Sequence, residues 1–266
     1  MNFLTIAAAN RRAHGDGFAE RVIETRPRFF YRMNAATGAT TEVARMISPF
    51  ANGTPAYTGT AGSGYTLQQA GFVNGGKSVA FGGSAALGRL ITGASGQSYS
   101  GTEPQRPMSF MVAFNADASG HGAFPVIMGK MKYYAQLQGD FPISLRWDAA
   151  TSKVILRLDG GNDFNADFDL SSGTLSTGTD YLCIIVLRGT GTNGIEIWMN
   201  GALNATGTYA GNLAAATGTF WTVGGATPYY VTGDQSCFHG RCAEAAMWNL
   251  ALTPAQIAFI SNSRAY

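Results

Sequence analysis

Cleaving a glycosidic bond calls for two carboxyl groups about 5 to 9.5 Å apart. The chain has six glutamates: Glu20, Glu24, Glu42, Glu103, Glu196 and Glu244. A catalytic pair on one strand needs acids at alternate positions, so that both face one cleft. Glu196 in residues 195–200 (IEIWMN) and Glu244 in 241–248 (RCAEAAMW) each stand alone. His14, His121 and His239 are spread far apart in loops, and no serine elbow, phosphate-cradling glycine loop or metal pair accompanies them. The expectation is a protein that is not an enzyme.

Binding chemistry has more to work with. Residues 159–169 (DGGNDFNADFD) gather oxygens, and Asp159, Asp163 and Asp167 are the candidate calcium ligands. Calcium takes six to eight oxygens, and this spacing is not that of an EF-hand loop. The segment also reads as a polar turn whose Asn and Asp side chains bond their own backbone. No other cofactor is expected. Sugars are held by aromatic faces beside polar loop groups. Tyr133 and Tyr134, after Lys132, and Tyr229 and Tyr230, after Pro228, are the ligand-binding candidates, with core or interface packing as the alternative. Three cysteines, Cys183, Cys237 and Cys242, form no even framework. They read as buried thiols of a protein made in a reducing compartment.

These residues need a scaffold, and the composition selects one. The 266 residues are 45% hydrophobic but only 13% charged, with 35 glycines. Helices with exposed faces want Glu and Lys; this chain offers Thr, Asn, Gly and aromatics, the materials of short strands and tight turns. The net charge of +2 is spread without a basic stripe, so nucleic acid is not an expected partner. No apolar run is long enough to span a bilayer. Residues 1–10 are mildly apolar but are followed, not preceded, by Arg11-Arg12, the wrong order for a secretory signal.

Residues 1–26 read as an arm and a short helix, and 27–266 as one sandwich. The arm carries Phe3, Leu4 and Ile6, apolar groups outside any core and therefore candidates for docking on a partner. Residues 18–25 (FAERVIET) have helical spacing, and Pro27 stops the helix. Strands are expected at 28–33, 78–81, 108–114, 126–128, 144–147, 153–158, 167–170, 181–187, 195–200, 220–223 and 241–248, with 34–63 as turns. Asn200-Gly201 marks a two-residue hairpin. Thr253-Pro254, with Gln256 three residues after the threonine, marks a capped helix. Phe110, Val112, Ile197, Trp198 and Trp248 are expected to share one core.

Residues 238–257 (FHGRCAEAAMWNLALTPAQI) resemble the closing signature of laminin-G-like, concanavalin A-like jelly rolls. Gly240, Glu244, Trp248, Asn249, Leu252, Thr253 and Ile257 fall on its positions, while Ala243 replaces the usual Asp. Residues 195–201 resemble the family's Asn-Gly hairpin and 108–114 its central strand. The usual Trp-His-His-Val segment is replaced by Thr179-Asp180-Tyr181-Leu182, and 81–85 (FGGSA) lacks the family's calcium-site Asp. The resemblance implies an all-β concanavalin A-like sandwich in which Glu244 is a structural, hydrogen-bonded acid. Residues 18–34 further resemble the opening of phage virion jelly rolls. That implies a tail, fibre or capsid-surface protein, made in the host cytoplasm without a signal peptide, homo-oligomeric, docked on other virion proteins and presenting loops to host surface polysaccharide. A cellular lectin-like domain and a glycan-cleaving enzyme are the alternatives.

Overall fold

The computed structural model describes residues 17–41, 56–58, 64–72, 76–83, 89–91, 107–122, 125–131, 143–158, 168–189, 192–209, 220–225 and 237–263. Continuous apolar strands bury both faces, and two of them build the centre of the molecule. In β6 (Met108–Ala116, MSFMVAFNA) all nine residues are buried. Phe110, Val112 and Phe114 point into one core, whereas Met111 and Ala113 join another. In β11 (Tyr181–Leu187, YLCIIVL) Cys183, Ile185 and Leu187 face the first core and Leu182, Ile184 and Val186 the second.

The first core lies between two antiparallel sheets. The eight-stranded sheet runs β13 (Ala202–Gly207), β12 (Ile195–Met199), β11, β6, β15 (His239–Trp248), β4 (Lys77–Gly82) and β3 (Tyr65–Ala70); β1 (Phe29–Tyr31) pairs with the latter half of β15. The seven-stranded sheet runs β10 (Phe168–Ser171), β9 (Lys153–Leu158), β8 (Ile143–Asp148), β7 (Val126–Met131), β14 (Phe220–Val223), β5 (Arg89–Ile91) and β2 (Ala56–Thr58). This is the expected jelly-roll sandwich.

The second core lies on the outer face of the eight-stranded sheet, under α1 (Gly17–Glu24) and α2 (Pro254–Ser261). Phe18, Ala19 and Val22 of α1 and Ile257 and Ile260 of α2 cover it. Here the single-core expectation is corrected. Phe110, Val112 and Ile197 lie between the sheets, but Trp248 and, more shallowly, Trp198 pack under the helices. The reason is pleat geometry: Ile197 and Trp198 are consecutive on β12 and must face opposite ways. The Trp248 indole N–H donates to Thr25 Oγ1 at 3.0 Å, tying the end of α1 to β15.

The local signals are met. Asn200 and Gly201 both have positive φ (52° and 85°), as a two-residue hairpin turn requires. Thr253 and Gln256 close a capping box at the start of α2. Three short strands, β2, β3 and β5, occupy stretches read as turns or left unassigned. Each of β2 and β5 sends one large side chain, Tyr57 or Leu90, into the core.

Candidate functional site

At one end of the sandwich several strand ends meet. There β4 and β6 finish, β7 starts, β8 turns into β9, β14 finishes and β15 starts. The registers that show it are Gly240 opposite both Phe81 and Ala116, Arg146 opposite Val126, and Val223 opposite Met128. Backbone bonds sew these ends together: Trp147 N–H donates to the Pro125 carbonyl, Gly122 N–H to that of Cys237, and Asp117 N–H to that of His239.

On the outer face of β8 and β9 this end opens into a cleft of about 360 Å³, within the usual size for a small-ligand site. Alternation decides its lining. Leu145, Trp147, Val154 and Leu156 turn into the core, so Arg146, Asp148, Ile155 and Arg157 turn outward and line the cleft with Gly122 and Pro125. Trp147 is also among the lining residues, but its side chain is almost wholly buried, with its ring packed against Phe114. Arg146 donates from Nε to the buried hydroxyl of Ser144 at 3.0 Å. Arg157 forks onto Asp169 with donor–acceptor distances of 2.9 and 2.7 Å. The Asp148 carboxylate accepts from Ala150 N–H and Thr151 Oγ1 within its own turn.

Beside the cleft the structure corrects the reading that the histidines stand far apart. His121 and His239 are 118 residues apart in sequence, yet their rings meet with centroids 6.1 Å apart. His239 N–H donates to His121 Nδ1 at 3.0 Å, so that nitrogen carries no proton. Nε2 therefore holds the hydrogen and donates to the Asp117 carbonyl at 2.7 Å. Burial, the largest influence, holds His121 below its ordinary value; the hydrogen bond to the Asp117 carbonyl pulls the other way, and the nearby His239 and the Asp117 charge add smaller, opposed effects. The His239 ring bonds the Ser119 carbonyl through Nδ1 and places Nε2 3.4 Å from Asp117 Oδ2. The β6–β7 loop is thus pinned to the start of β15 at the rim. Among the described residues no three His, Cys, Asp or Glu side chains form a metal-holding group.

The isolated acids have structural surroundings. Glu196 takes a bidentate bond from Arg188 (2.6 and 2.8 Å) and a third from the Trp198 indole at 2.7 Å. Burial pushes its carboxyl up, but these partners outweigh it and hold it below the usual carboxylate range. Glu244 is buried on the bulge of β15 where the register with β6 shifts. Cys183, Cys237 and Cys242 are buried with no disulfide among them, and burial pushes the Cys183 and Cys242 thiols up.

Tyr133, Tyr134, Tyr229, Tyr230, Asp159, Asp163, Asp167, Phe3, Leu4 and Ile6 all lie outside the described residues. The strand ends still sort these candidates. The chain leaves β7 after Met131 and re-enters at Ile143, and leaves β9 after Leu158, all at the end opposite the cleft. It leaves β14 after Val223, at the cleft's own end. Only the Tyr229-Tyr230 connection therefore departs beside Arg146 and His121. Sequence reasoning missed Arg146 and Arg157, although the alternation in SLRW and KVILRL carries the signal.

A family model, Laminin_G_3, described as the concanavalin A-like lectin/glucanases superfamily, matches residues 108–258. No curated protein matches by sequence. Among solved structures, the chain is similar to Trypanosoma rangeli sialidase in complex with 2,3-difluorosialic acid, with TM-score 0.58 and 10% identity over 90% of this chain and 33% of that one. The botulinum neurotoxin serotype G binding domain aligns with TM-score 0.57 and 9% identity, over 88% of this chain and 50% of that one. Domain 4 of an extracellular arabinanase from Geobacillus stearothermophilus, in complex with arabinotriose, aligns with TM-score 0.50 and 13% identity, over 89% of this chain and 98% of that one. The chain spans about one third of the sialidase. At such identities the likeness is one of fold.

Proposed function

The chain belongs to the concanavalin A-like lectin/glucanase superfamily, and from that premise we propose that it is a glycan-binding module that does no catalysis. The observation that carries the reading is the outward cleft of β8 and β9, which has polar groups in place and, among the described residues, no opposed pair of carboxylates. A glycosidase of the usual kind needs two such acids about 5 to 9.5 Å apart. Of the described acids at the cleft, Asp148 is engaged by its own turn and Asp169 by Arg157. Glu196 is engaged by Arg188 and Trp198 on the other sheet. Two of the similar solved structures hold sugars, an arabinotriose and a sialic acid derivative. Tyr229 and Tyr230, on the connection that leaves at this end, are the candidates for the aromatic contribution that Trp147 does not make.

The finer assignment is a virion adhesion protein, a tail, fibre or capsid-surface component that docks through Phe3, Leu4 and Ile6. It is supported by the resemblance of residues 18–34 to phage virion jelly rolls. The test is a glycan panel probed with the full chain, alongside an assay for reducing ends. Saturable binding without release of reducing ends is expected. Turnover, or binding to no member of a broad panel of capsule and lipopolysaccharide glycans, overturns the reading.

A further inference from the structure

We propose that the cleft is gated by protonation of His121: a proton on its ring parts the β6–β7 loop from the start of β15, moves the Gly122 wall, and weakens the hold on a glycan. This rests on the glycan-binding reading above and adds its regulation. Gly122 and Pro125 line the cleft from the β6–β7 loop, and His121 precedes Gly122 in the chain. Three bonds hold this wall. His239 N–H donates to His121 Nδ1 at 3.0 Å, His121 Nε2–H to the Asp117 carbonyl at 2.7 Å, and Gly122 N–H to the Cys237 carbonyl at 2.9 Å.

The first two bonds leave a second proton only one place to go. An imidazolium donates from both nitrogens, so at Nδ1 it meets the His239 N–H donor to donor, and the ring must turn away from β15. The loop has no slack to absorb this, because a Cβ on Gly120 would already fall on the His239 ring. Among the described residues, the titratable groups facing His121 are Asp117, from its own loop, and His239, from β15. Trp147 of β8 and Phe238 bring only rings. Burial favours the neutral ring, so the latched form prevails near neutrality. His239 does not share the role. Its Nδ1 already donates to the Ser119 carbonyl, and its Nε2 lies 3.4 Å from Asp117 Oδ2, so a proton there meets an acceptor.

The full chain is titrated from pH 7.5 to 5.0 against an immobilised panel of capsule and lipopolysaccharide glycans, following Kd for the member bound most tightly at pH 7.5. Affinity should fall by up to about tenfold for each pH unit below the midpoint, the signature of one proton. By linkage, the bound glycan should push the His121 titration, read from its Cε1 proton resonance, to lower pH. The ratio of Kd at pH 5.0 to that at pH 7.5 should approach one in His121→Gln and stay as in the wild type in His239→Gln. A pH-independent wild-type affinity, a decline that persists in His121→Gln, or one lost in His239→Gln overturns the gate and leaves the glycan reading standing. Should His121→Gln fail to fold, the wild-type resonance decides: a His121 midpoint that coincides with the affinity midpoint upholds the gate, and one that does not refutes it. Absence of binding to every panel member at every pH sinks both.

Discussion

Acidification should loosen the rim of the cleft through one residue, His121. Its Nδ1 accepts the His239 N–H and its Nε2 donates to the Asp117 carbonyl, so the fold holds the neutral ring. Among the described residues, the charged and titratable groups facing it are Asp117 and His239, and the rings of Phe238 and Trp147 lie beside it. Because the folded ring titrates below its ordinary value, the unfolded chain binds a proton that the folded chain refuses as pH falls below about 6.5. Stability is therefore fully present above that pH. It declines as pH drops toward the folded value and levels off below it. The ceiling is structural: a protonated Nδ1 turns a donor against the His239 N–H and leaves a buried donor without its acceptor, which costs about 1 to 3 kcal/mol. In a domain of this size each kcal/mol moves Tm by about 2 to 4 °C. Calorimetry from pH 7.5 to 5.0 should show this drop in the wild type. His121→Gln, which can accept and donate in the same places but does not titrate, should show a flatter profile. Parallel profiles for the two proteins would refute the tautomer argument.

Two further substitutions probe the scaffold. Glu196→Gln removes the charge that Arg188 and Trp198 engage, and should destabilise the fold at pH 7 by about 1 to 3 kcal/mol without changing glycan binding. Since the folded carboxyl titrates below its ordinary value, the wild-type advantage should fade as pH falls below about 4.5, and chemical denaturation at pH 7 and pH 3 checks it. Gly240→Ala should cost roughly 3 kcal/mol or more, beyond the common range for point changes: φ is +146° and a Cβ would sit on the Asn115 carbonyl oxygen. Gly178→Ala, at φ +71° with open space around it, should cost only about 1 to 2 kcal/mol for the left-handed backbone. Equal costs at the two glycines would show that the collision is not what constrains β15.

The fold was legible where a strand's pattern is set by burial on both faces. MSFMVAF and YLCIIVL are continuous because β6 and β11 have a second sheet on one side and helices on the other. Asn200-Gly201 and Thr253-Pro254 were legible because turn and cap chemistry is local. The strands β2, β3 and β5 were not. A three-residue strand such as the one around Tyr57 or the one around Leu90 has too few alternations to stand out from turns. In β3 the alternation is broken between Thr66 and Gln69, where Gln68 takes φ of 61° and its side chain bonds the Ala35 carbonyl instead of continuing the ladder. The two-core arrangement was also hidden, because consecutive apolar residues announce two buried faces without saying what covers each.

The candidate site shows the same division between local and non-local information. SLRW and KVILRL alternate around buried Leu145, Trp147, Val154 and Leu156, and the short turn between them makes a hairpin. Those two facts alone put Arg146 and Arg157 on one outward face. What they withhold is that this face ends in a cleft, because Gly122 and Pro125 arrive from the β6–β7 loop. The histidine pair is harder still. His121 reaches His239 only because β15 pairs with β6 on one side and β4 on the other, bringing the ends of three strands to one rim. No spacing in the chain encodes a contact across 118 residues; it is set by strand order, and strand order is chosen by how the whole apolar pattern is buried. Hence the residues singled out as chemical by type, the tyrosine pairs and the aspartate run, were found without their places. The arginines and histidines that the fold brings to one end became a candidate site only when their strands were paired.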